Sequence, residues 1–143
     1  MRMLGCVLIL ILAQAFAQAA DARYRQLVRV IDRNTGFAHM TRGVNMFTLY
    51  ALRSCVNAGD IPVLSRMLTD RDRIVRRAVA SVLVDLGKGG AGVVRRHLQE
   101  TAAAADRSIL EDALADEGHV PAILSYPMTD ADRKRIHGCP PVN

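Results

Sequence analysis

The sequence predicts an all-α fold: a short α-solenoid of about three stacked helical hairpins with a flanking helix at each end. Three observations predict it. Apolar residues recur at steps of three and four along nearly the whole 143-residue chain, the period of a helix with one buried stripe and not of an alternating strand. The connections between these stretches are short, which favours antiparallel neighbours. A unit of one short and one long helix returns about every 30 residues, the mark of a tandem architecture.

The first segment, MRMLGCVLILILAQAFAQAA, reads as a secretory signal peptide over residues 1–20. Arg2 supplies the positive start and Leu4 to Ala13 the apolar centre. Ala15-Phe16-Ala17 or Ala17-Gln18-Ala19 supplies the small-residue cleavage site. Gln14 and Gln18 interrupt the apolar run, so it falls short of the ~20 apolar residues of a spanning helix. Residues 21–143 then form one α-helical repeat domain in the periplasm or outside the cell. Loss of Arg2 leaves 18 basic against 14 acidic side chains, a mild excess that permits an acidic partner without requiring one.

The helices follow in order. Ala22 to Asp32 turns Tyr24, Leu27, Val28 and Ile31 inward. Arg42 to Val56 turns in Val44, Phe47, Ala51, Leu52 and Cys55. Ile61 to Leu68 is short, with Pro62 in the first turn where its missing N–H costs nothing. Asp70 to Gly87 places Ile74, Val75, Ala78, Val79, Val82, Leu83 and Leu86 on one stripe. Arg73, Arg76, Arg77, Ser81 and Asp85 take the other side. Asp70 or Asp72 caps its start and Gly87 ends it. Val93 to Ala104 ends in an alanine run that favours helix, and Arg107 to Asp116 buries Ile109, Leu110, Ala113 and Leu114. TDADRKRIHG near the end reads as a last short helix. NAGD, TDRD, GKGGAG and DEGHVP read as turns.

The internal copies align by number. Val44 and Val75, Ala51 and Val82, and Leu52 and Leu83 each differ by 31, as do Val79 and Leu110. Val63 and Val93, Leu64 and Val94, and Leu68 and Leu98 each differ by 30. Thr48 against Val79 is a mismatch. The stretch DRDRIVRRAVASVLVDLG resembles the second helix of a HEAT repeat, in particular the short PBS lyase HEAT-like kind. The matching positions are Asp70 in the turn, then Val75-Arg76, Ala78 or Val79, Leu83 or Leu86, and Gly87. The clearest repeat covers 61–87, and flanking copies carry His39 and Thr101 at the Asp70 position and Asn45 and Arg107 at the Arg76 position. The resemblance implies that Asp70 and Arg76 form a structural ladder tying successive repeats.

Two cysteines follow the leader, Cys55 and Cys139. An oxidising compartment would let them pair, and closing so long a loop would stabilise by roughly 4 kcal/mol on a chain-entropy argument. Two unrelated thiols, one buried and one loose, is the alternative.

No catalytic constellation stands out. GKGGAG satisfies G-x-G-x-x-G through Gly87, Gly89 and Gly92, with Asp112 twenty residues on. A dinucleotide site needs a preceding strand and a parallel sheet, and the sequence offers neither, so it reads as a turn. His39, His97, His119 and His137 are scattered without metal-ligand spacing. Glu111 and Asp112 are neighbours on different helix faces, a poor acid/base pair. No cofactor is implied.

The leading functional reading is a protein-interaction module whose surface residues Arg73, Arg77, Ser81 and Arg107 meet an unknown, acidic partner through Arg–carboxylate contacts. One rival is a binder of anionic surfaces, lipid headgroup or nucleic acid, built on Arg71, Arg73, Arg76, Arg77, Arg95 and Arg96. The acids among them, and three Phe and three Tyr with no Trp in the chain, weigh against nucleic acid. Another rival, implied by the resemblance, is an accessory to a tetrapyrrole-type lyase.

Overall fold

The computed structural model of the chain describes residues 2–31, 40–41 and 44–118. Six α-helices make up the described fold: α1 Arg2–Val30, α2 Met46–Cys55, α3 Ile61–Met67, α4 Arg73–Asp85, α5 Lys88–Glu100 and α6 Ala104–Ala115. A minimal antiparallel ladder, β1 Met40–Thr41 and β2 Val44–Asn45, precedes α2, with Met40 opposite Asn45 and Thr41 opposite Val44. Among the described residues the regular structure is all-α apart from these four residues.

Local chemistry sets most of the boundaries. The Asn45 side chain accepts a hydrogen bond from the Phe47 amide at 2.9 Å, so α2 starts at Met46 and not at Arg42. Residues 44–45 go to the ladder instead. Before α3, Asn57 and Asp60 make a reciprocal capping box: the Gly59 amide donates to Asn57 at 2.7 Å and the Asn57 amide to Asp60 at 3.0 Å. Asp72 caps α4 through the Ile74 amide at 2.9 Å, and the Asp70 carboxylate holds the Asp72 amide at 2.7 Å. Both turn acids are therefore used.

Two sequence expectations change around α5. Gly87 adopts φ +86°, which glycine takes without strain, and its carbonyl accepts from the Ala91 amide at 2.9 Å. The turn is thus confined to Gly87, and Lys88 to Gly92 form the first turns of α5. Gly90 is buried, and a Cβ there would lie 1.9 Å from the Leu83 carbonyl oxygen of α4. The glycines serve a close helix–helix crossing. At the other end, α5 stops at Glu100 and Thr101 to Ala103 form a link, although alanine favours helix. The Thr101 hydroxyl donates to the His97 carbonyl at 2.7 Å, and Arg107 binds the Leu98 and Thr101 carbonyls at 3.1 and 3.2 Å. Those carbonyls are satisfied from outside the helix, so continuing it gains little.

The helices pack in two rows. α1 lies on α3 and α3 on α5; α2 lies on α4 and α4 on α6; α1 pairs with α2, α3 with α4 and α5 with α6. α4 is the centre, touching α2, α3, α5 and α6, with every residue from Ala78 to Val84 buried. The core runs through Leu27, Leu49, Leu52, Leu64, Val75, Val79, Leu83, Val94 and Leu110. Full burial of each such side chain contributes about 1.5–3 kcal/mol. Leu52 and Leu83, and Leu64 and Val94, are fully buried at the spacings read from the sequence. Thr48, 31 residues before Val79, is only 1% exposed, so this mismatch puts a polar residue in the interior.

α1 continues without a break through the expected leader boundary. Leu12 to Ala19 are exposed, Phe16 at 74%, and burial begins at Ala20. The expected last helix, Cys139, His39, His119 and His137 lie outside the described residues.

The Gly90 crossing yields a paired prediction. Gly90→Ala should destabilise by at least about 1–3 kcal/mol through overpacking against backbone. Gly92→Ala, where a Cβ meets nothing within 4 Å, should stabilise by about 0.4–1 kcal/mol. Urea unfolding of both variants checks the opposite signs.

Candidate functional site

Arg76 sits in the second turn of α4 and reaches back past the helix start. One guanidinium nitrogen donates to the main-chain carbonyls of Asp70 at 2.7 Å and Arg71 at 3.1 Å; the other donates to the Asp106 carboxylate at 2.9 Å. It therefore joins the loop before α4 to the start of α6. The planar fork of arginine suits this divided task, which a lysine ammonium would not match. Nε of Arg76 is buried without a hydrogen-bond partner among the described residues, a local cost of about 1–3 kcal/mol.

Arg107 repeats part of this contact. Its guanidinium binds the Thr101 carbonyl six residues back, as Arg76 binds that of Asp70, and the two arginines are 31 residues apart. Its other terminal nitrogen lies 3.5 Å from Glu111. Arg107 thus closes the end of α5. Arg76 uses the Asp70 carbonyl and not its carboxylate. The carboxylate accepts from the Tyr24 hydroxyl of α1 and from the Asp72 amide. The carboxylate partner of Arg76 is Asp106, on the first turn of α6. The spacing of 30 between the two residues was the available signal.

Arg73 is exposed on the first turn of α4 and Arg77 is half-buried one turn on. Ser81 is only 1% exposed, so it belongs to the interior and not to a partner-facing surface. Ala78, Ala80 and Ser81 are small, which lets neighbours close over this stretch. The His97 side chain is half-buried.

Beside Arg76 opens a cleft of about 280 Å³. Leu68, Ile109 and Leu110 form its apolar lining, and Asp70, Arg76, His97, Thr101 and Asp106 its polar part. Among the described residues no group of three or more His, Cys, Asp or Glu could hold a metal ion.

A second polar cluster ties α1 to the body. Arg23 pairs with both oxygens of Asp60 at 2.8 and 2.9 Å, and donates to the Cys55 carbonyl and to Gln26, each at 2.6 Å. The Arg23 hydrogen bonds hold the Asp60 carboxyl below its ordinary value of 3.8. Burial, with the hydrogen bond to Asp70 second, pushes the Tyr24 hydroxyl up to about 12. Arg66 stacks over the Tyr24 ring at 5.7 Å and pairs with Asp21 at 2.7 Å.

Comparison with known proteins finds no matching family model, no matching curated protein and no matching solved structure.

Two predictions follow from these contacts. Arg76→Ala should cost about 1.5–3 kcal/mol, because it removes charge-assisted bonds to two carbonyls and a carboxylate. Asp106→Asn should cost less, since it keeps an acceptor; chemical denaturation ranks the two. Asp60 has a depressed folded-state pKa, so its contribution is fully present above the unfolded value of 3.8 and lost as pH falls through the lower folded value. The stability gap between the parent chain and Asp60→Asn should therefore be constant from pH 7 to about 5 and shrink below about 4, as melts across that range would show.

Proposed function

We propose that this chain is an exported α-solenoid of HEAT-like hairpins that binds a partner protein through its repeat surface. The single observation that carries the repeat reading is the pair of guanidinium contacts, Arg76 to Asp70 and Arg107 to Thr101, made to the same relative position one unit apart. The two rows of helices, α1-α3-α5 and α2-α4-α6, support it. Each hairpin leaves an apolar stripe that only its neighbours cover, as in other stacked-repeat architectures.

Export is supported by the change in burial along α1. The exposed stretch from Leu12 ends at Ala19, and Asp21 pairs with the body through Arg66. Cleavage after Ala17 or Ala19 would leave the Asp21–Arg66 pair in the mature chain. An oxidising compartment would also suit a bridge from Cys55, at the buried end of α2, to Cys139. Intact mass of the exported chain under non-reducing conditions should show a start at residue 18 or 20 and a loss of about 2 Da for the pair. A mass retaining the leader would contradict export by cleavage, and an unchanged mass on reduction would remove the bridge.

The partner-facing residues are Arg73 and Arg77, whose guanidinium groups suit carboxylates. Arg107 acts inside the fold and Ser81 is interior. Arg73→Glu with Arg77→Glu should abolish crosslinking to the partner in the exported fraction, in a variant that circular dichroism shows to be folded. Retention of every crosslinked partner by a folded double variant would contradict this surface. Binding that moves instead to anionic vesicles and collapses with salt would favour the lipid-surface reading.

A further inference from the structure

Two rows of helices leave α4 with an outer side. α3 and α5 of the first row lie behind it, and α2 and α6 of its own row lie beside it. Val84 follows Val75 by nine residues, two and a half turns at about 3.6 residues per turn. The two side chains therefore leave the helix in opposite directions. Val75 belongs to the inward stripe, so Val84 belongs to the outer side, yet it is only 5% exposed. Ala80, about 140° round from Val75 at that pitch, is buried as well. Burial there means that other atoms lie over this side of the row.

The cover has limits. On α2, Met46 and Leu49 stand 31 residues before Arg77 and Ala80, and both are buried. On α6, Glu111 and Ala115 stand 31 residues after Ala80 and Val84, and both are exposed. The covered strip thus runs along α2 and α4 and stops short of α6.

The chain supplies an occupant. Residues 119–143 follow α6, the neighbour of α4 in the row. The bridge proposed above would hold Cys139 at Cys55, at the end of α2. Crossing from α6 to α2 takes two helix spacings, about 16–20 Å. The roughly 20 residues before Cys139 span about 30 Å even at a helix's rise. They carry Ile123, Leu124, Met128 and Ile136 for an apolar strip, and Asp130 and Asp132 for the guanidinium of Arg77 on the same side of α4. Residues 32–39 are committed at both ends instead, to α1 and to the ladder before α2.

We propose that residues 119–139 of this chain are themselves the first occupant of the repeat surface, seated along α2 and α4 with apolar side chains over Leu49 and Val84. The apolar groups gain by leaving water. The proposal rests on the bridge reading for its far end. It goes beyond the partner-binding reading, since a partner that reaches Arg77 must share this side with the segment.

Methyl-resolved nuclear magnetic resonance of the isotope-labelled processed chain is the test. Val84 and Leu49 should show nuclear Overhauser contacts to residues 119–139. Contacts from both residues only within 44–118, or to residues 32–39 instead, would overturn the proposal. A chain ending at Gly118 should bind an apolar fluorescent dye at least threefold more strongly than the parent, and unchanged dye binding in that variant, folded by circular dichroism, would also overturn it. The contacts in the parent chain decide even if the shortened chain fails to fold. If the intact mass shows no bridge while Val84 still touches residues 119–139, the bridge falls and the seat stands. If the bridge is present and Val84 touches none of them, the seat falls and the bridge stands.

Discussion

Helix α4 has no free face between Ala78 and Val84, and most of the described molecule is arranged to satisfy that constraint. Its stripe of Val75, Val79, Val82 and Leu83 would be buried in any amphipathic helix. What distinguishes it is that Ala80, Ser81 and Val84 are buried too. A helix closed on all sides must be approached closely, and the chain provides for this with small residues: Ala78, Ala80 and Ser81 on α4 itself and Gly90 on α5, where the Leu83 carbonyl lies within the space a methyl would need. Close packing of this kind gains dispersion contacts along the whole length of the helix and leaves no room for extra atoms.

Around that centre, arginine closes ends that helices cannot close themselves. The last carbonyls of any helix lack intrahelical partners. Arg23 reaches the end of α2, Arg76 the loop after α3, and Arg107 the end of α5. In each case the guanidinium comes from a different element, so satisfying one helix end also fixes the position of another helix. Arg76 carries this furthest, because its second arm binds Asp106 at the start of α6. Partly buried contacts of this type lose less to solvent than exposed ion pairs such as Arg66 with Asp21. The cleft lies beside this clamp, between the loop before α4 and the start of α6.

Much of the fold was legible because short-range signals agreed. Pro62 in the first turn of α3, Asp72 before α4 and Gly87 after it mark helix ends by mechanisms that do not depend on the rest of the chain. The 30–31 residue spacing likewise located Leu52, Leu83, Leu64 and Val94 in the core. The misreadings share a different cause, since each depends on a distant partner. GKGGAG looked like a turn because glycine destabilises an isolated helix, yet here the crossing with α4 requires it. Ser81 looked exposed because a polar residue opposite the apolar stripe usually is, but α4 is enclosed. The Ala102–Ala104 run looked continuous with α5 because alanine propensity says nothing about Thr101 and Arg107. Of the candidate site, the importance of Arg76 and Asp70 was readable. The use of Asp70's main chain in place of its carboxylate and the tie from Tyr24 were not, because no local pattern encodes them.

Native-state hydrogen exchange of the processed chain tests the central claim most directly. If α4 is the enclosed spine, the amides of Ala78 to Val84 exchange slowest, with opening energies equal to global stability and with α3 and α5 next. Exchange at α4 as fast as at the exposed stretch Leu12 to Ala19, or a slowest core located in α1 or α6 with α4 opening independently, would contradict the account.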